Sequence, residues 1–154
     1  MAIVARRPDV LEETKSEIES ASDGRVFAYP CGISDSAQVA EMFRSAESDL
    51  GVIDILVNNA GSAVRGKFEE VTDEIWQEDL DLKLFAAIRT CQLALPKMKE
   101  QRWGRIINII NTAAKASPAE GCPTGVSRAA GMALTKILSK EFGWAETSIE
   151  KYLK

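Results

Sequence analysis

No histidine occurs in the 154 residues. Acid–base chemistry near neutral pH must therefore come from tyrosine, lysine, carboxylate or cysteine with a shifted pKa. The same absence excludes a Ser-His-Asp or Cys-His nucleophilic site and a zinc site built on imidazole. Two tyrosines, Tyr29 and Tyr152, and three cysteines, Cys31, Cys91 and Cys122, complete the short list. The cysteines are far apart and form no CxxC pair, so neither a metal site nor a disulfide framework is expected, and a reduced, cytoplasmic setting follows. The most specific segment is Leu56-Val-Asn-Asn-Ala-Gly61. Two amides followed by two small residues make a flat ledge where a ribose or ring can approach the backbone. Read alone, the same residues are equally a turn. Arg6-Arg7 follows the first apolar run, where an arginine can accommodate a 2′-phosphate. In isolation the pair reads as solvated charge. Gly61 to Lys67 nearly matches a phosphate-binding loop, but Phe68 stands where a Mg²⁺-binding hydroxyl is needed, and acidic residues follow. Nucleotide hydrolysis is set aside on that ground.

These residues need elements to position them, and the chain supplies a regular alternation. Ala2–Ala5, Arg25–Tyr29, Val52–Val57 and Arg105–Ile110 read as strands. Helical patterns fill the intervals: from Pro8 to about Ser20, Ser36–Leu50 capped by Ser34 or Asp35, Thr72 to about Glu100, and about Pro123 to Phe142. Pro96 is expected to kink the third. Strands apolar on both faces, alternating with helices, imply an α/β fold with a parallel sheet covered on both sides. In such sheets ligands bind beyond the carboxyl ends of the strands. That points to Arg6-Arg7, Cys31-Gly32, Asn58–Gly61 and Asn111–Lys115. The length suits one domain, 45% hydrophobic and 27% charged residues suit a globular chain, and a net charge of −4 argues against nucleic acid. No apolar run is long enough for a membrane span.

Asn58-Asn-Ala-Gly61 after a buried strand, then a long helix, then Gly104-Arg-Ile-Ile-Asn108, then Ala129-Ala-Gly-Met-Ala-Leu-Thr-Lys136 on a helix together resemble the short-chain dehydrogenase/reductase family. Within it the chain is most similar to the bacterial 3-oxoacyl-carrier-protein-reductase-like branch. The resemblance covers about residues 2–142. It implies a three-layer Rossmann-type fold, a nicotinamide cofactor, and hydride exchange between a carbonyl and an alcohol. Carried over, Asn58, Asn59, Ala60 and Gly61 line the cofactor's ribose side, with Arg128 beside them. Arg6, supported by Arg7, favours NADP over NAD. The resemblance also implies a homodimer or tetramer through the long helix and the last helix, and a small carbonyl or alcohol substrate.

The chain departs from that family at the family's catalytic tetrad of Asn, Ser, Tyr and Lys. Lys83 falls on the Asn position, Asn111 on Ser, Thr124 on Tyr and Arg128 on Lys. Asn111 still donates a hydrogen bond to a carbonyl oxygen, and Arg128 still binds hydroxyls but cannot relay a proton. Thr124 lacks the acidity of a phenol. Lys83 and Lys115 are expected to point to solvent, and Cys122 to be a small buried filler. Gly32 replaces the acidic residue usual near the adenine. The glycine-rich turn of the family's first strand is expected to be absent before Ala2, so that the sheet lacks its first strand and its C-terminal strands. Ala2–Ala5 would then have to close directly onto Val52–Val57. Residues 1–142 are read as a partial cofactor-binding domain and 143–154 as a tail without a counterpart, the whole as a fragment. The alternative reading is a non-catalytic module that binds a dinucleotide or a partner.

Overall fold

The computed structural model describes residues 1–143 and the backbone of 146–153. The chain divides into two compact units, Met1–Ile53 and Asp54–Lys154.

The first unit is two consecutive strand–helix repeats. Strands β1 (Ala2–Ala5) and β2 (Phe27–Pro30) pair in parallel, with helices α1 (Pro8–Ala21) and α2 (Ser36–Leu50) following them. Pro8 opens α1, where a missing N–H costs nothing. Asp35 caps α2 by accepting from the Ala37 and Gln38 amides at 2.8 and 3.1 Å. Gln38 reaches back to accept from the Gly32 N–H at 2.8 Å, so the cap also fixes the turn after β2. Gly51 ends α2 at φ 80, a conformation that side chains disfavour. Leu11, Val26, Cys31, Val39, Phe43 and Ala46 are buried.

The second unit is built on β5 (Trp103–Ile110), flanked by parallel strands β3 (Ile55–Asn58) and β7 (Glu146–Leu153). Alternate residues of β5, Gly104, Ile106, Asn108 and Ile110, are buried. One long helical run passes from α3 (Asp73–Leu80) through a π turn at Asp81–Phe85 into α4 (Ala86–Glu100). In the π turn the Ala86 N–H donates to the Asp81 carbonyl, one residue further back than in an α-helix. Pro96 sits inside α4. A two-residue ladder joins β4 (Arg65–Gly66) to β6 (Cys122–Pro123), and α5 (Thr124–Phe142) follows.

The alternation of strands and helices matches the expectation within a residue or two at most ends. Two details differ. First, among the described residues each unit has its own parallel sheet, β1–β2 in the first and β3–β5–β7 in the second. β3 pairs on one side only, and its Ile55 and Val57 are 55% and 52% exposed. Second, residues 146–153, given no element from sequence, run as β7 beside β5. A parallel neighbour satisfies the second edge of β5, which a strand in the middle of a sheet requires. Trp144, Ala145 and Lys154 of the expected tail lie outside the described residues.

Candidate active site

The carboxyl ends of β3 and β5 lie side by side, because Asn58 pairs with Asn108 in register. Their amides are bonded across the ladder, Asn58 Nδ2 donating to Asn108 Oδ1 at 2.9 Å. Thr90 of α4 donates to Asn58 Oδ1 at 2.8 Å, and Asn108 Nδ2 donates to Thr135 of α5 at 2.9 Å. Two strands and two helices are thereby held by one chain of polar contacts, part of it buried. Asn58, expected from sequence at the cofactor, has its side chain engaged in this strut. The exposed ledge is formed by the next three residues, Asn59, Ala60 and Gly61.

The four positions that the family tetrad would occupy lie around the end of β5. Asn111 is the first residue past the strand, half-buried, with its Oδ1 buried and no hydrogen-bond partner. Thr124 opens α5 and is 3% exposed. Its Oγ1 accepts from Lys83 Nζ at 2.7 Å and from the Val64 N–H at 3.0 Å. One helical turn on, Arg128 donates through Nη1 to the Ile109 carbonyl at 3.0 Å. Its Nε is buried without a partner. Arg128 packs so closely on Gly61 that a Cβ built there would collide with Nη2. Gly61 is therefore needed for the close approach of the guanidinium, as well as for the ledge.

Lys83 overturns an expectation. It does not point to solvent: its side chain is 0% exposed and ion-paired with Asp79, itself 1% exposed, one turn earlier. Lysine is rarely so buried without a partner, and Asp79 supplies one. Burial pulls the Lys83 ammonium below its ordinary pKa, the Asp79 carboxylate raises it, and the Arg128 charge lowers it again. Burial likewise lowers Arg128, against the pull of Asp79. Asp79 was missed from sequence, although its i, i+4 spacing to Lys83 on one helix was visible. Its Oδ2 is buried and unpartnered.

The other candidates divide by unit. Arg6 and Arg7 are exposed in the first unit, where Arg7 is the residue before α1. Lys115 is exposed, as expected. Cys122 is half-buried rather than buried. The thiols of Cys31 and Cys91 are buried, and burial raises both, Cys91 to about 11. Neither is a thiolate nucleophile at neutral pH.

These residues fit a nicotinamide dinucleotide on one observation: Arg128, packed on Gly61 of the exposed Asn59–Gly61 segment, keeps a buried Nε–H donor without a partner.

Comparison with known proteins gives a concordant result. The family model described as short chain dehydrogenase matches residues 1–150. D-beta-hydroxybutyrate dehydrogenase of Cupriavidus necator is 35% identical over 131 residues, 84% of this chain and 51% of the relative. 3alpha-hydroxysteroid dehydrogenase of Mediterraneibacter gnavus is 36% identical over 133 residues, 86% of this chain and 52% of the relative. The crystal structure of L-sorbose reductase from Gluconobacter frateurii, complexed with NADPH and L-sorbose, aligns with a TM-score of 0.93 at 28% identity. It covers 97% of this chain and 57% of that one. The chain thus spans about half the length of the curated relatives it matches. A family match over residues 1–150 runs through both units, and the chain belongs to the short chain dehydrogenase family.

Proposed function

We propose that this chain carries part of an NADP-dependent oxidoreductase that moves a hydride between a nicotinamide and a small carbonyl or alcohol. The observation that carries the reading is the gathering of Lys83, Asn111, Thr124 and Arg128 around the end of β5, with buried polar atoms on Asn111 and Arg128 left for a ligand. When bound, the reduced nicotinamide supplies the hydride. The chain's own residues do the rest. The exposed backbone of Asn59–Gly61 lines the ribose side, and Arg128 donates to ribose hydroxyls. The Asn111 Nδ2 donates to the carbonyl oxygen and polarises it, and the buried Oδ1 remains an acceptor for a ligand donor. Arg128 holds positive charge nearby and does not give up a proton.

The preference for NADP rests on Arg6 and Arg7, exposed at the end of β1. It is supported by the NADPH named with L-sorbose reductase. Self-association through the α3–α4 run and α5, and a cytoplasmic setting, belong to the same reading. No helix among the described residues is long and apolar enough to cross a membrane.

Fluorescence titration with NADPH and NADH tests the proposal. NADPH should bind more tightly, and Arg6→Ala with Arg7→Ala should remove the preference. Absence of binding by either cofactor would sink it, and binding without turnover of any carbonyl would favour the non-catalytic module.

A further inference from the structure

We propose that Lys83 is the proton source of this site and that Thr124 is the conduit from it to the ligand oxygen. This rests on the oxidoreductase reading above and deepens it.

The geometry begins with Thr124 Oγ1. It accepts two hydrogen bonds, from Lys83 Nζ at 2.7 Å and the Val64 N–H at 3.0 Å. A hydroxyl has two lone pairs and one proton, so both acceptor sites are filled and the proton remains. The acceptor facing that proton is Asp79 Oδ1 at 3.5 Å, at the outer limit of a hydrogen bond and already bonded to Lys83. The Thr124 proton is therefore held weakly on one side and backed by an ammonium on the other. The hydroxyl is reached by parting the Val64 bond, which ties the exposed Gly61–Ala63 segment to α5.

The step balances without further reagents once a reduced nicotinamide donates the hydride. The carbonyl carbon gains the hydride and its π pair moves to oxygen. That oxygen takes the Thr124 proton, and the Oγ1–H bond breaks. Oγ1 in turn takes a proton from Lys83 Nζ, leaving a neutral amine. The carbonyl is reduced by two electrons and the nicotinamide oxidised by two. Water recharges Lys83. Threonine alone is a poor acid, but here it ends the step as it began, a neutral alcohol. The net transfer runs from an ammonium to an alkoxide, which is downhill. Charges facing Lys83 come from Asp79 on its own helical run and Arg128 on α5. Arg128 keeps the site from becoming anionic when Lys83 loses its proton.

Side-chain NMR titration of the lysines in the whole chain, with Lys83 assigned through its backbone, gives a readout independent of turnover. Lys83 should titrate below the ordinary lysine value, and Asp79→Asn should move it lower still. Consumption of NADPH with ethyl acetoacetate gives the second readout. Lys83→Met and Thr124→Val should each slow it by about 10²–10⁴, with NADPH binding retained, and Thr124→Ser should recover most of the rate lost in Thr124→Val. The wild-type rate should fall as pH rises through the Lys83 titration. Lys83 titrating at or above the ordinary lysine value overturns the relay. So do unchanged rates in both variants with NADPH bound, and that result leaves the oxidoreductase reading standing. Failure of the wild type to bind NADPH overturns both.

Discussion

In Met1–Ile53 the ion pairs, Lys15–Glu12 and Arg44–Glu41, lie at the surface, and the buried side chains are apolar. In Asp54–Lys154 the buried set includes Asp79, Lys83, Thr90, Asn108, Thr124, Ser127 and Thr135. Both units are made from parallel strands and helices, so architecture does not explain the difference. A surface pair contributes little to stability, whereas a buried charge is costly unless it is paired and hydrogen-bonded. The second unit accepts that cost around the end of β5, and leaves three buried polar atoms, on Asp79, Asn111 and Arg128, without partners. An unfinished polar cluster is what a ligand completes, and the first unit has no counterpart to it among the described residues.

The sharpest way to break the contrast is to uncouple the buried pair. Asp79→Asn leaves the Lys83 ammonium without a counter-charge and should destabilise the second unit by about 3–5 kcal/mol. The three tryptophans all fall after residue 53 in the sequence, at positions 76, 103 and 144, and the two described ones, Trp76 and Trp103, lie in that unit. Urea unfolding followed by tryptophan fluorescence therefore reads it selectively. Replacing both partners, Asp79→Leu with Lys83→Met, should recover most of the loss, and no recovery would mean that the pair itself stabilises the fold.

A smaller effect comes from the strut between the strands. Asn108→Ala removes partners from both Asn58 and Thr135 and should cost about 1–3 kcal/mol. Amide exchange should accelerate in β3 and β5, and unchanged protection there would remove the strut from the account. In the first unit the comparable test is Asp35→Ala, which takes the cap from α2 and should cost about 1 kcal/mol. Amide exchange should quicken at the start of α2, with the tryptophan signal unmoved.

The finest test uses pH, where the two units should slope in opposite directions. Burial and the hydrogen bond to Asp49 raise Tyr29 from 10.0 to about 12. The folded first unit holds that proton more tightly than the unfolded chain does. Its contribution is complete below pH 10 and lost as pH climbs toward 12. Lys83 is lowered instead, so the unfolded chain binds its proton more tightly, and the second unit gains stability as pH rises toward 10.5. Tyr29→Phe should flatten the first slope and Lys83→Met the second. Urea midpoints taken by circular dichroism and by tryptophan fluorescence across that range separate them, and parallel slopes would dissolve the contrast.

Much of the fold was legible because its signals are local. Asp35 and Thr72 announce helix starts, and Ala2–Ala5 reads as a strand from four residues. β7 was not legible, since Glu150 and Lys151 interrupt the apolar alternation that marks a strand. The site was half legible. Family register named Lys83, Asn111, Thr124 and Arg128; the structure bonds Lys83 to Thr124 and Arg128 to the Ile109 carbonyl, two residues before Asn111. Register could not show that Lys83 turns inward, because the prior for lysine is solvent and only the fold brings Thr124 to within 2.7 Å. Asn58 is the last residue of β3 rather than the first beyond it, and its engagement with Asn108 depends on cross-strand pairing between residues 50 positions apart.

The π turn at Asp81–Phe85 has a consequence for how this helix tolerates changes in length. A wider turn holds one residue more than an α-helical turn needs, so it is a point of slack in an otherwise rigid rod. Deleting one residue there would let the rod tighten into a continuous α-helix while Thr90, Cys91 and the rest of α4 keep their places. The same deletion two turns later would rotate everything beyond it by about 100° and turn buried residues such as Met98 toward water. Single-residue deletions along residues 73–100 that spare Lys83 should therefore be accepted at this one turn and rejected on either side of it.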